Sequence, residues 1–85
     1  MKLNAEEIEK KISTLLLEKV VDIKTKEIKL ESKLKEDLGI DSFGAVELAF
    51  AIKEEFGIEI PNEVLGTITK IKDVVDYIST QINKE

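Results

Sequence analysis

The chain has 85 residues, a formal net charge of −5 and neither cysteine nor histidine. We expect one small domain over residues 1–85 with one modest core, which excludes a two-domain enzyme. The missing cysteine excludes a disulfide framework and a thiolate metal site, and the missing histidine removes the usual general base and the commonest zinc ligand. The acidic balance repels nucleic acid and anionic lipid, so we expect a basic protein partner, no nucleic acid and no stable membrane insertion.

The N-terminal segment predicts a helix over about residues 5–20. Asn4 and Glu7 have the spacing of a capping box, in which each side chain accepts the backbone N–H of the other residue. One face of this helix carries the apolar residues Ile8, Ile12, Leu15 and Leu16. Residues 1–5 lack the pattern of a signal peptide, and no apolar run approaches the length of a membrane span, so we expect a soluble, cytoplasmic protein.

A long loop is predicted over residues 21–39, because its apolar residues are isolated among polar ones. These are Ile23, Ile28, Leu30, Leu34 and Leu38. Loops longer than about 12–15 residues are uncommon, and the recurring apolar residues favour a loop that packs onto the core. We expect a short helical turn near residues 33–37 and a left-handed or closely packed backbone at Gly39.

The segment 42–56 has the periodicity of a helix that starts at Asp41 or Ser42, both good N-cap residues, and stops at Gly57. Its apolar residues form two stripes. The stripe predicted to face the core consists of Ala45, Leu48, Ala49, Ile52 and Phe56. A second stripe, centred about 140° around the helix, consists of Phe43, Val46 and Phe50.

A short helix over 61–65 is predicted from Pro61, which fits the first helical position, and from Gly66, which ends it. Thr69 is then expected to cap a final helix. The apolar face of that helix consists of Ile71, Val74, Val75, Ile78 and Ile82. The strand-like segment 58–60 is too short to need a sheet. The predicted fold is therefore all-α, a small four-helix bundle with a long first loop and a short third helix.

The second stripe has two interpretations that the sequence leaves open. The 21–39 loop could fold over it and bury it, or it could be an exposed surface that docks a partner. Residues 36–63 contain eight acidic residues against Lys53 alone, a local charge of −7, whereas the rest of the chain carries +2. Glu47 and Glu54 lie beside the stripe, and this concentration of charge favours docking of a basic partner.

Ser42 is the best candidate for a modified residue. With no histidine in the chain and Lys53 at the other end of the helix, it has no internal base, so we expect a substrate of another enzyme and not an enzyme. Asp41 supplies a hard oxygen ligand with which that enzyme could place Mg²⁺. The alternative is that Asp41 or Ser42 only caps the helix. The order of the acids does not fit a calcium-binding loop, so we expect no resident metal.

Several motifs in the second half of the chain resemble those of acyl carrier proteins. They are EDLGIDSF at 36–43, VEL at 46–48, EEF at 54–56, IEIP at 58–61 and DVVDYI at 73–78. The resemblance covers essentially the full length. It implies a monomeric four-helix phosphoprotein whose serine accepts 4′-phosphopantetheine from coenzyme A through a Mg²⁺-dependent transferase. The thiol of that arm would hold acyl groups as thioesters in fatty acid biosynthesis, polyketide assembly or related lipid metabolism.

Position by position, the resemblance makes Ser42 the attachment site and Asp41 the acidic neighbour used by the transferase. It also implies that five residues bind partner enzymes, the acyl-processing enzymes with basic docking patches: Phe43, Val46, Glu47, Phe50 and Glu54. It also implies that the acyl chain lies in an apolar cleft between helices. We expect this cleft to be lined by Leu48, Ile52, Phe56, Ile60, Ile68 and Ile71.

Three positions depart from the family pattern. Phe43 stands where leucine is usual, Gly44 where an acid is frequent, and Lys53 interrupts a run of acids. Gly44 also lowers helix stability by about 0.5–1 kcal/mol relative to alanine. A specialised carrier with a dedicated ligase or synthase therefore competes with a housekeeping fatty-acid carrier. A peptidyl or D-alanyl carrier loaded by an adenylating ligase, and an acidic helical interaction module without a prosthetic group, are the remaining alternatives.

Overall fold

A computed structural model describes residues 4–19 and 27–83 of the chain. In chain order it contains the helices α1 (Ala5–Lys19), α2 (Ser42–Phe56), α3 (Asn62–Leu65) and α4 (Ile71–Ile82). The described residues form no strand, and their one isolated β-bridge joins Lys33 to Lys70. The predicted all-α fold with a short third helix is confirmed. The assignment of residues 1–85 to one domain stays a prediction.

The start of α1 follows the predicted capping box. The Glu7 amide donates to Asn4 Oδ1 at 2.8 Å, and the Asn4 amide donates to Glu7 Oε1 at 3.1 Å, so each residue satisfies the other. The four residues of the predicted apolar face are all buried. They pack toward α2 and α4, which both contact α1. The last residue of the predicted helix, Val20, lies outside the described residues.

The described part of the long loop, residues 27–39, packs onto the core as predicted. Leu34 and Leu38 are buried, whereas Ile28 and Leu30 are half-buried against the same cluster. Ile23 lies outside the described residues. The predicted turn is present, because the amides of Asp37 and Leu38 both donate to the Lys33 carbonyl, at 2.9 and 3.1 Å. Gly39 has a φ of 71°, which confirms the left-handed conformation expected there.

Backbone hydrogen bonds join this loop to the start of α4, in what we call the loop–α4 junction (residues 30–34 with 69–72). The carbonyls of Leu30 and Ser32 accept from the amides of Lys72 and Ile71, at 2.8 and 3.0 Å. The Leu34 amide donates to the Thr69 carbonyl at 2.9 Å. The loop thereby supplies acceptors to first-turn N–H groups of α4 that have no partner within that helix.

Two helix starts differ from the predictions. The helix α3 begins at Asn62, and Pro61 precedes it with an extended ψ of 152°. Proline fixes φ but leaves ψ free, so it fits an extended N-cap position as well as the first helical one. At α4 the N-cap residue is Lys70, so the prediction that Thr69 caps this helix was wrong. Thr69 is held one residue earlier, because its amide and hydroxyl both donate to Asp73 Oδ2.

The buried face of α2 is rotated relative to the predicted core stripe. Leu48 and Ile52 are buried as expected, but Ala45, Ala49 and Phe56 are only half-buried. The buried residues of the helix are Gly44, Leu48, Ala51 and Ile52. Gly44 has no side chain that could mark an apolar stripe, and Ala51, although as apolar as Ala45 and Ala49, lies on the side of the helix toward which the buried face is rotated.

Candidate functional site

The first turn of α2 is fixed by Asp41. Its backbone is extended, its Oδ1 accepts from the Gly44 amide at 2.9 Å, and its carbonyl accepts from the Ala45 amide at 2.9 Å. Asp41 is therefore the N-cap residue, and Ser42 is the first residue of the helix. Of the two capping alternatives, the structure assigns the cap to Asp41 and leaves the Ser42 side chain without that role.

Ser42 is exposed at the positive end of α2. Within residues 4–19 and 27–83 its hydroxyl makes no hydrogen bond, and neither do the backbone N–H groups of Ser42 and Phe43. The first N–H groups of a helix have no acceptor within the helix and commonly bind anions. The Ser42 hydroxyl and two N–H donors are thus available at the same point of the surface. A phosphate ester formed on that hydroxyl could accept hydrogen bonds from the two N–H groups.

Ser42 also lines an open groove of about 1120 Å³. One wall comes from residues 34–36 of the loop and from residue 40, a second from residues 41, 42, 45 and 46 at the start of α2, and a third from residues between Asn62 and Thr69. The apolar lining consists of Leu34, Ile40, Ala45, Val46, Leu65 and Ile68. The Leu34–Thr69 backbone bond of the loop–α4 junction holds the first and third walls together.

The residues predicted to line an acyl cleft lie in two different places. Ile68 lines the groove. Phe56 is half-buried against the core, and the other four are buried within it, with at most 7% of each residue exposed: Leu48, Ile52, Ile60 and Ile71. Leu34, Ile40 and Leu65 line the groove with Ser42 but were not predicted as its neighbours. Helical periodicity carries no signal for them, because two lie in the loop and the third lies in a single helical turn.

The second stripe of α2 is exposed. Phe43 is 71% exposed, Val46 is 42% exposed and Phe50 is 67% exposed, so the described part of the loop does not bury them. These three residues form what we call the α2 apolar face. Val46 also lines the groove, so this face and the groove share an edge.

Charge beside the α2 apolar face is negative and largely uncompensated. Lys53 Nζ lies 4.0 Å from Glu59 Oε1, and Lys11 Nζ lies 3.2 Å from Glu55 Oε2, so these two lysines pair with acids other than Glu47 and Glu54. Within the described part of the chain, Glu47 and Glu54 form no ion pair. These two carboxylates therefore remain available to a basic partner.

Two classes of site are not found in the described residues. No group of three or more acidic residues there is arranged to hold a metal ion. No helix among them is long and apolar enough to cross a membrane.

Comparison with known proteins gives matches over most of the chain. Residues 11–78 match the family model described as "Phosphopantetheine attachment site". Two curated acyl carrier proteins from Nitratidesulfovibrio vulgaris, of strains DP4 and Hildenborough, are each 36% identical to this chain over 74 residues. The aligned region is 87% of this chain and 96% of each relative. The family match includes Asp41, Ser42 and all three walls of the groove.

Proposed function

Because the chain belongs to the acyl carrier protein family, whose prosthetic group is covalently attached 4′-phosphopantetheine, we propose that Ser42 is the residue that carries this group. The observation that supports the proposal is the position of Ser42, exposed at the first residue of a helix that Asp41 already caps. Its hydroxyl is therefore not needed for the fold. The bound group supplies a terminal thiol, which holds acyl groups as thioesters.

Attachment requires only a nucleophilic oxygen from this chain. A bond forms between Ser42 Oγ and the phosphorus of the phosphopantetheine portion of coenzyme A. The bond from that phosphorus to the nucleotide portion breaks, and the hydroxyl proton passes to a base of the transferase. With no histidine in the chain, that base comes from the partner enzyme. The N–H groups of Ser42 and Phe43 then face the phosphate ester.

Asp41 has a second task in this proposal. One carboxylate oxygen, Oδ1, accepts from the Gly44 amide, whereas Oδ2 has no hydrogen-bond partner among the described residues. A carboxylate oxygen beside the reacting serine is a suitable ligand for the Mg²⁺ ion that the transferase brings. Asp41 therefore both orients the helix start and helps to place the ion.

The α2 apolar face is proposed to dock the transferase and the acyl-processing enzymes. Phe43, Val46 and Phe50 supply apolar contact area, while Glu47 and Glu54 pair with basic patches on those enzymes. Apolar contacts hold the complex, and the carboxylates raise the association rate and set the register. The chain itself acts as a carrier and not as an enzyme, and it works as a cytoplasmic monomer.

The acyl chain is proposed to be sheltered by the apolar residues between the helices. Ile68 and the other apolar residues of the groove line the same space as Ser42. Of the remaining predicted lining residues, Leu48, Ile52, Ile60 and Ile71 belong to the buried core, and Phe56 packs against it. Fatty-acid, polyketide and related pathways use such a carrier. A peptidyl or D-alanyl carrier loaded by an adenylating ligase is the alternative.

Intact-mass measurement tests the attachment. The purified chain is incubated with coenzyme A, Mg²⁺ and a promiscuous phosphopantetheinyl transferase, alongside the variants Ser42→Ala and Ser13→Ala. We expect one phosphopantetheine on the wild type and on Ser13→Ala, and none on Ser42→Ala. An unmodified wild type, or an arm on Ser42→Ala, contradicts the proposal. Loading the modified protein with fatty acids against amino acids then separates the two kinds of carrier.

A further inference from the structure

Lys35 is the one cation among the described residues that line the groove with Ser42. The other charged residues of that lining are Glu36 and Asp41. Lys35 is exposed and forms no ion pair within the described part of the chain. By contrast, the neighbouring Lys33 does not line the groove, and its Nζ lies 3.7 Å from Glu36 Oε1. The groove therefore contains an ammonium group without a described partner.

The position of Lys35 is set by its neighbours. Leu34 is buried, and its amide donates to the Thr69 carbonyl at 2.9 Å, so the backbone immediately before Lys35 is tied to the opposite wall of the groove. On the other side, the amides of Asp37 and Leu38 donate to the Lys33 carbonyl. These bonds hold the backbone of Lys35 at the groove, while its side chain remains exposed.

A phosphate ester on Ser42 would add negative charge where negative charge is already concentrated. It would lie beside the carboxylate of Asp41, within the segment 36–63 whose local charge is −7. Like charges at short range raise the free energy of the folded state, and only a nearby cation or a hydrogen-bond donor offsets this. The two free N–H groups at the helix start are such donors, and Lys35 is the one cation among the described residues of the groove lining.

Resting on the proposed function of Ser42, we infer that the Lys35 ammonium pairs with the phosphodiester that joins the arm to Ser42. Lys35 is then a positioning residue. The pair directs the first part of the arm across the mouth of the groove, and it balances charge that attachment would otherwise leave beside Asp41. A lysine suits this task because its flexible stem can place a point charge against an anion.

The test compares the protein before and after attachment of the arm. Urea unfolding is measured for the unmodified and the phosphopantetheinylated forms of the wild type, Lys35→Gln and Lys29→Gln. Lys29 is the matched control, since it is an exposed lysine of the same loop that does not line the groove and lies 3.7 Å from Glu27. The ³¹P resonance of the phosphodiester is recorded for each modified form.

We expect Lys35→Gln to raise the unfolding equilibrium constant of the modified form about twofold to fivefold more than that of the unmodified form, as an exposed ion pair does. This additional effect on the modified form should shrink at high salt. It should be mostly absent in Lys35→Arg, which keeps the positive charge, and fully absent in Lys29→Gln. The ³¹P resonance should move in Lys35→Gln and not in Lys29→Gln.

Equal effects of Lys35→Gln on both forms, with an unchanged ³¹P resonance, would overturn the inference while leaving Ser42 as the attachment site. An effect confined to the rate of attachment would also overturn it, because Lys35 would then contact the transferase. A wild-type chain that takes up no arm would instead refute the proposed function.

Discussion

Replacement of Asp73 by asparagine should weaken the loop–α4 junction, which joins one wall of the groove to the start of α4. Asp73 Oδ2 accepts from the Thr69 amide at 3.0 Å, from the Thr69 hydroxyl at 3.1 Å and from the Lys70 amide at 3.1 Å. Thr69 lines the groove, and its carbonyl accepts from the Leu34 amide. One carboxylate oxygen therefore holds the residue through which two walls of the groove are joined.

The magnitude follows from the charge on this acceptor. A hydrogen bond to a charged group contributes about 1.5–3 kcal/mol, and solvent screening at a partly exposed site reduces this amount. Asparagine keeps an acceptor oxygen but loses the charge. We therefore expect Asp73→Asn to lower the free energy of unfolding by about 1 kcal/mol at pH 7, which corresponds to a fall in Tm of about 4–8 °C.

The same bonds predict how the effect depends on pH. The hydrogen bond from the Thr69 amide is the largest cause that lowers the pKa of Asp73 below its ordinary value of 3.8, partial burial acts against it, and the Lys70 amide adds to the lowering. Because the folded pKa lies below the unfolded one, the stabilisation is fully present above the unfolded pKa. It is lost as the pH falls through the folded pKa.

Urea unfolding between pH 7 and pH 2.5 checks this dependence. The difference between wild type and Asp73→Asn should be constant down to about pH 5 and should then decrease toward zero in acid. Asp76→Asn is the control, because Asp76 lies on the same helix and pairs with the exposed Lys72 at 3.2 Å. A difference that persists unchanged in acid, or an equal effect of Asp76→Asn, would refute the role given to the Asp73 charge.

Substitutions at four positions in α2 and its caps give further predictions. Asp41→Ala removes the N-cap bond and should lower the free energy of unfolding by about 1 kcal/mol, as measured by urea unfolding. Asp41→Asn keeps an acceptor oxygen and should retain most of the stabilisation from this bond. Phe50→Ala should change stability by no more than about 0.5 kcal/mol, because the side chain is exposed. Ile52→Ala should cost about 2–5 kcal/mol by the same assay, because Ile52 is fully buried, and equal effects at these two positions would contradict the orientation of the helix. Gly57→Ala should lower Tm, because a φ of 71° costs an alanine about 1 kcal/mol of backbone strain. A Cβ at this position would meet open space, so no steric clash adds to the strain. An unchanged Tm would show that this strain is absent.

Features that depend on neighbouring residues could be predicted from the sequence. The capping box of Asn4 and Glu7 depends on a spacing of three residues, and both its bonds are present. Gly39 ends the long loop and Gly57 directly follows α2. At both positions glycine predicts a left-handed backbone, and both have a φ of 71°. The angle between the two apolar stripes of α2 is likewise defined by the sequence alone. That angle shows that both stripes cannot face one core, but the exposure of Phe43 and Phe50 is seen only in the structure.

Features that depend on distant residues could not be predicted in this way. The bond between the Leu34 amide and the Thr69 carbonyl joins segments that are remote in the sequence, and both partners are backbone atoms that every residue possesses. That contact joins two walls of the groove. The rotation of the α2 core face has a related cause. Gly44 and Ala51 are buried because of what packs on them and not because of their own apolar area.

The arrangement of α2 joins these observations. Its two apolar sides leave little of the helix surface for favourable polar contacts, so its ends are secured by Asp41 and by the left-handed Gly57. An exposed apolar face would also favour self-association. Two copies that met through this face would bring together two segments of charge −7, and Glu47 and Glu54 would have no described cation to offset them. The same carboxylates that oppose contact between copies would favour a partner with basic residues. In the proposed docking, the acidic segment would thus select which proteins bind the apolar face.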